Sequence, residues 1–198
     1  KKKKGFTNYN ELLTYIEEKV QKYPETVSSN FIGESQKGKK IPIVYIKKNK
    51  TKDDKKLRVW MQGGLHGNEP ASTESLLFMM HLILEDPNYS YLLDKIELAI
   101  SPMANIDGSL KNDRYAANGL DLNRDHTKIM APETKASIRA FNDFNPHVAL
   151  DFHEYRPFRK DFAQLSSFGI SNPYDVMFLH TGNLNVPENI RTIIDTLF

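Results

Sequence analysis

The sequence contains no cysteine. That excludes disulfides, thiolate metal sites and cysteine nucleophiles, and it leaves the redox compartment open. Long apolar runs are missing as well. A membrane span needs about 18 apolar residues or more, and the best stretch, 76–84, is broken by His81. No hydrophobic signal segment follows the opening lysines, since the next residues are Gly5, Phe6 and Thr7. There is no internal repeat, low-complexity segment or interdomain linker. What is present is a globular composition: 198 residues, 39% hydrophobic and 26% charged, enough for one domain with a sizeable core. Charge is unevenly placed. Residues 1–56 carry 15 lysines against 7 acids, while the remainder carries 18 acids against 12 Lys and Arg. The lysines concentrate at 1–4 and 47–56 with no aromatic platform among them, which reads as a solvated surface and not as a nucleic-acid interface.

The order of elements can be read from local signals. Asn8 can cap an opening helix, with Glu11 reaching back as a capping box. Leu12, Leu13, Ile16 and Val20 form its apolar face, and Pro24 lies past its end. Residues 31–32 and 41–46 predict a strand pair around a Gly/Lys turn at 33–40. Residues 57–61 predict a buried strand, broken by Gly63-Gly64. Pro70 opens a helix whose body, 75–84, is apolar nearly all round and is expected to be central, with His81 packed inside it. A second buried strand at 96–100 ends at Pro102. The irregular stretch 103–130 is rich in Asn, Asp and Gly, and compact domains keep loops of this length for function. A helix over 132–144 stops at Asn145-Pro146, and 148–152 gives a third buried strand. Alternating strands and helices predict an α/β domain with a mixed, largely parallel central sheet flanked by helices.

In such sheets ligands bind beyond the carboxyl ends of the strands. Three polar clusters follow strands here. The first is Gly63-Gly64-Leu65-His66-Gly67-Asn68-Glu69-Pro70. The second is Asn105-Ile106-Asp107-Gly108, leading to Asp121-Leu122-Asn123-Arg124-Asp125. The third is Asp151-Phe152-His153-Glu154. His66 and Glu69 are three residues apart, so in a helical turn both side chains point the same way. Joined by His153, they would make a His₂Glu zinc site with an open position. Each cluster alone also reads as ordinary turn chemistry; their shared position after strands favours a site.

Taken in order, these motifs resemble the zinc metallocarboxypeptidases of the carboxypeptidase A type. The likeness also includes Ile32-Gly33-Glu34-Ser35 with Gly38 and Ile41, and Gly119-Leu120 ahead of Asp121. It implies a carboxypeptidase-like (phosphorylase/hydrolase-like) fold and a proteolytic metal-dependent hydrolase. One Zn²⁺ per chain would be held by His66, Glu69 and His153. Asn123 and Arg124 match the pair that holds the substrate's terminal carboxylate, a task suited to a guanidinium fork. Arg114 matches the arginine that polarises the scissile carbonyl and stabilises its oxyanion. The substrate would be a peptide, or something like one, with a free carboxylate, and the family suggests a secreted or periplasmic setting.

The family's general base is a glutamate well downstream of the third ligand, with a tyrosine nearby. Residues 154–198 offer only Glu154, Asp161, Asp175, Glu188 and Asp195, none in that context. Glu154 should face away from its neighbour His153. The helical pattern Ile190, Ile193, Ile194, Leu197 runs to the last residue with no stop signal. The expectation is therefore a single catalytic domain over 1–198 whose carboxy-terminal part is missing, able to bind zinc but with negligible hydrolysis. Two other readings stay open: an amide hydrolase like aspartoacylase or succinylglutamate desuccinylase, and a non-catalytic zinc-containing domain that binds peptide carboxy termini. His126, beside Arg124, His147 and His180 read as bystanders, and the basic segment 156–162 reads as a solvated loop. Oligomeric state and side-chain preference are not encoded in any recognisable motif.

Overall fold

Asn8 closes the first helix in the expected way. Its Oδ1 accepts the Glu11 N–H at 3.1 Å and the Glu11 carboxylate accepts the Asn8 N–H at 2.9 Å, a capping box on α1 (Tyr9–Lys22). The computed structural model describes residues 5–48, 55–155 and 186–197. The chain divides into two compact units, Lys1–Glu154 and Tyr155–Phe198. The described part of the second contains one helix, Glu188–Leu197, carrying the apolar pattern read above. His180 and the segment 156–162 lie outside the described residues, as do Asp161 and Asp175.

The first unit is built on five strands: β1 (Val27–Glu34), β2 (Lys40–Ile46), β3 (Leu57–Gln62), β4 (Ile96–Ser101) and β5 (Val148–Asp151). Their order in the sheet is β1-β2-β4-β3-β5. β1 and β4 both run antiparallel to β2, whereas β3 is parallel to β4 and to β5. β1 begins four residues earlier than its apolar residues suggest. Ser28, Ser29 and Asn30 are modest strand formers, but they pair with Tyr45, Val44 and Ile43, and ladder hydrogen bonds override weak propensity.

α1 and α2 (Pro70–Glu85) cover one face of the sheet, where Leu12, Ile16, Leu76 and Met80 meet Val44, Ile46, Val59, Met61, Leu98 and Ile100. On the other face α3 (Pro132–Phe144) sets Ala140 and Phe141 against Ile43, Trp60 and Ala99. The Phe141 and Trp60 rings meet edge to face at 5.5 Å. Two expectations change here. α2 is a covering helix, not a central one: it buries one stripe and leaves Phe78 62% exposed. At 100° per residue a continuous apolar run cannot turn every side chain toward one sheet. His81 is accordingly half-exposed, its Nδ1 3.5 Å from Glu85 Oε1. β5 is also less buried than predicted, because among the described residues it pairs on one side only, with β3.

Two buried carboxylates grip the β1–β2 turn. Asp107 accepts the Ser35 hydroxyl and the Lys37 N–H, each at 3.0 Å. Glu133 accepts the Gln36 N–H at 2.9 Å. Hydrogen bonds to a charged acceptor are worth more than neutral ones, so Asp107→Ala is expected to lower unfolding free energy by about 3 kcal/mol. Urea denaturation of the metal-free protein measures this, and an unchanged midpoint would contradict it.

Candidate metal centre

The three parallel strands β4, β3 and β5 end on one edge of the sheet. The chain leaving β3 turns to α2 on one face, and the chain leaving β4 leads on to α3 on the other. A crevice therefore opens between adjacent carboxyl ends. All three polar clusters of the sequence converge there. Gly63 and Gly64 accept the N–H groups of Ala104 and Asn105 at 3.1 and 2.8 Å, which ties the loop after β3 to the loop after β4.

His66 and Glu69 do not sit on a helix. They bracket a turn ahead of α2, in which the Glu69 N–H donates to His66 O at 3.2 Å, and Glu69 occupies the N-cap position. The turn still brings the side chains together. His66 Nδ1 lies 2.8 Å from Glu69 Oε1, and His153, carried past the end of β5, places its Nδ1 2.8 Å from Glu69 Oε2. The two imidazole rings are 4.8 Å apart. Ligand atoms of His66, Glu69 and His153 all lie within 4.8 Å of one another. Two imidazoles and a carboxylate in this arrangement are a donor set that fits zinc.

Asp121, to which no role was given from sequence, is the hub around which other side chains gather. Its Oδ1 lies 3.2 Å from His66 Nε2 and accepts the Asn123 N–H at 2.9 Å. Its Oδ2 accepts Arg114 Nε and Nη2 at 3.1 and 2.9 Å. Burial pushes the Asp121 carboxyl up, but the hydrogen bonds from Arg114 and His66 outweigh it and hold it below its usual range. The signal that could have found it is the spacing Asp-x-Asn-Arg combined with a rule: a metal-binding imidazole gives its second nitrogen to a carboxylate or carbonyl.

Arg114 reaches the centre, its Nη1 3.7 Å from Glu69 Oε1. Buried Asn105 steadies its backbone by donating Nδ2 to Arg114 O at 3.3 Å. Asn123 and Arg124 lie on the single helical turn Leu122–Asp125, capped by Asp121. Asn123 Nδ2 is 3.5 Å from His153 Nε2, and Arg124 is exposed. The Glu154 carboxylate accepts the Ala71 N–H at 3.2 Å, while its own N–H donates to Glu69 Oε2 at 3.2 Å. A cavity of about 380 Å³ opens beside Asn123 and Asp151, walled by Trp60, Ile138, Phe141 and His126. His126 Nδ1 donates to Leu122 O at 2.8 Å. His147, at the start of β5, accepts the Arg58 N–H on Nδ1 at 2.9 Å.

The sequence profile described as zinc carboxypeptidase matches residues 12–158. The chain belongs to the zinc carboxypeptidase family. Carboxypeptidase 2 of Trichophyton tonsurans is 36% identical over 173 residues, covering 83% of this chain and 31% of that protein. Carboxypeptidase D of Homo sapiens is 28% identical over 164 residues, covering 74% of this chain and 12% of that protein. The solved structure of carboxypeptidase A from Helicoverpa armigera superposes with a TM-score of 0.69 at 23% identity, over 77% of this chain and 46% of that one. The mixed sheet with flanking helices is thus the carboxypeptidase fold. The chain spans about a third of the length of the fungal carboxypeptidases it matches.

In this carboxypeptidase fold the metal-free centre is sensitive to pH. The hydrogen bond to Asp151 outweighs burial and, with Glu69, pushes His153 up from 6.5 to about 9. A raised folded-state pKa contributes stability that is fully present below about 6.5 and lost as pH rises through about 9. Urea unfolding of the metal-free protein should show wild type losing stability relative to His153→Gln across that window. A pH-independent difference would contradict the assignment.

Proposed function

We propose that this chain carries the metal-binding and carboxylate-recognising part of a zinc carboxypeptidase that hydrolyses the peptide bond at a free carboxy terminus. The observation that carries the reading is the convergence of His66 Nδ1 and His153 Nδ1 on the two oxygens of Glu69, with Arg114 beside them. A zinc ion held by these three residues would supply Lewis acidity, lowering the pKa of a water in its open position to roughly 7 and polarising a carbonyl.

The chain's own residues account for binding and orientation. Arg124 offers a planar fork for the two oxygens of a terminal carboxylate, with the Asn123 amide next to it. Arg114, already oriented by Asp121 and Asn105, offers a fixed positive charge where an oxyanion would develop. The proton of the attacking water needs a base. Among the described residues, Glu69, Asp121, Asp151 and Glu154 are each already engaged at the centre. The base is therefore proposed to lie outside them.

The test is release of the terminal amino acid from a short peptide by a zinc-loaded protein that contains this chain together with the proposed base, compared with the same peptide amidated at its end. Cleavage of the free acid only is expected, with KM raised about 10–100-fold in Arg124→Ala and kcat less affected. Equal cleavage of the amidated peptide would refute carboxylate recognition. Preferential turnover of N-acyl amino acids would move the protein to the aspartoacylase-like reading. Tight peptide binding without cleavage would make it a binding domain.

A further inference from the structure

Asp151 lies two residues before His153, at the end of β5. Its Oδ2 is 3.0 Å from His153 Nε2, while Nδ1 of the same ring faces Glu69 Oε2. His66 repeats this pattern from a different loop: Nδ1 faces Glu69 and Nε2 faces the Asp121 carboxylate. Each imidazole thus presents one nitrogen to the shared carboxylate and the other to a carboxylate outside it. An imidazole that ligates a metal through one nitrogen carries its hydrogen on the other. A carboxylate accepting that hydrogen fixes the tautomer and the ring plane, and makes the ligating nitrogen more basic.

We propose that Asp151 is the positioning residue of His153, accepting its Nε2–H and thereby committing Nδ1 to the metal. The proposal rests on the metal-centre reading above. The backbone prepares the contact. Asp151 is in register with Gln62 of β3, and the Phe152 N–H donates to Gln62 O at 2.8 Å. The strand direction is thereby kept past the end of β5, and side chains two residues apart emerge on the same side. The neighbouring Asn123 Nδ2, at 3.5 Å, cannot take this part, since an amide nitrogen is a donor and so is Nε2–H. The Asp151 carboxylate supplies the acceptor.

Zinc affinity of wild type, Asp151→Ala, Asp151→Asn and His153→Ala can be compared by competition with a chromophoric chelator, with far-UV circular dichroism to verify folding. Asp151→Ala is expected to bind zinc about 10–100-fold more weakly, and Asp151→Asn less severely because an amide oxygen still accepts. In nitrogen-edited NMR of the zinc-loaded protein, the slowly exchanging Nε2–H of His153 should be present in wild type and lost in Asp151→Ala. That signal separates orientation of the ring from a general loss of stability. If Asp151→Ala keeps wild-type zinc affinity and the Nε2–H signal while His153→Ala loses zinc, Asp151 does not position the ring and the metal centre stands. If wild type and His153→Ala bind zinc equally, the metal-centre reading fails and the proposal with it.

Discussion

Glu69→Ala should abolish high-affinity zinc binding, with a loss larger than the roughly 100-fold that removal of an outer-sphere partner produces. Among the described residues Glu69 bridges the two histidines: its two oxygens each face one Nδ1 at 2.8 Å. Without it the centre keeps two imidazoles and no anionic ligand. The carboxylate also accepts the Glu154 N–H, so alanine disturbs the turn as well as the ligand set. Glu69→Gln separates the two effects. It keeps the shape and one acceptor oxygen, so the fold should survive. It loses the charge that a divalent ion requires, so zinc affinity should still fall steeply. Isothermal titration with zinc reads both variants, and wild-type affinity in Glu69→Gln would remove this residue from the centre.

Gly67→Ala is expected to be the most damaging single-atom change to the fold of this region. A Cβ built on Gly67 lies 2.5 Å from Asp113 O, and nearer still to Gly108 C and Ser109 N. These are backbone atoms of the loop that carries Arg114, so no rotamer change can make room. The loop after β3 and the loop after β4 would have to separate. We expect a loss of about 3 kcal/mol or more in unfolding free energy, together with weaker zinc binding, since His66 and Glu69 flank the displaced residue. Gly38→Ala is the informative control. Gly38 has a φ of +73° but nothing within 4 Å of a Cβ, so it should lose only the ~1 kcal/mol of a left-handed alanine. Similar losses in the two variants would show that the close approach at Gly67 is not what matters.

Much of this architecture is written in short stretches of sequence. The Asn8/Glu11 box and the stop of α3 at Asn145, which takes a φ of 49°, depend on atoms a few bonds apart, and sterics and local hydrogen bonds decide them wherever the chain lies. The three metal-ligating candidates were legible for a related reason. Residue types suited to zinc recur directly after predicted strands, and an α/β sheet brings its strand ends to one edge.

Partners distant in the chain were not legible in the same way. Nothing local indicates that β3 lies between β4 and β5, that the apolar helix α2 exposes Phe78, or that β5 pairs on one side among the described residues. Asp121 meets His66 across 55 residues, and Glu69 meets His153 across 84. Such contacts exist only once the sheet has set the separation and direction of the loops that carry them. Composition and motif order therefore settle the class of fold and the kinds of side chain available for chemistry. The tertiary structure alone decides which nitrogen of each histidine faces Glu69 and which acid stands behind it, because a ring's orientation follows from its neighbours in space.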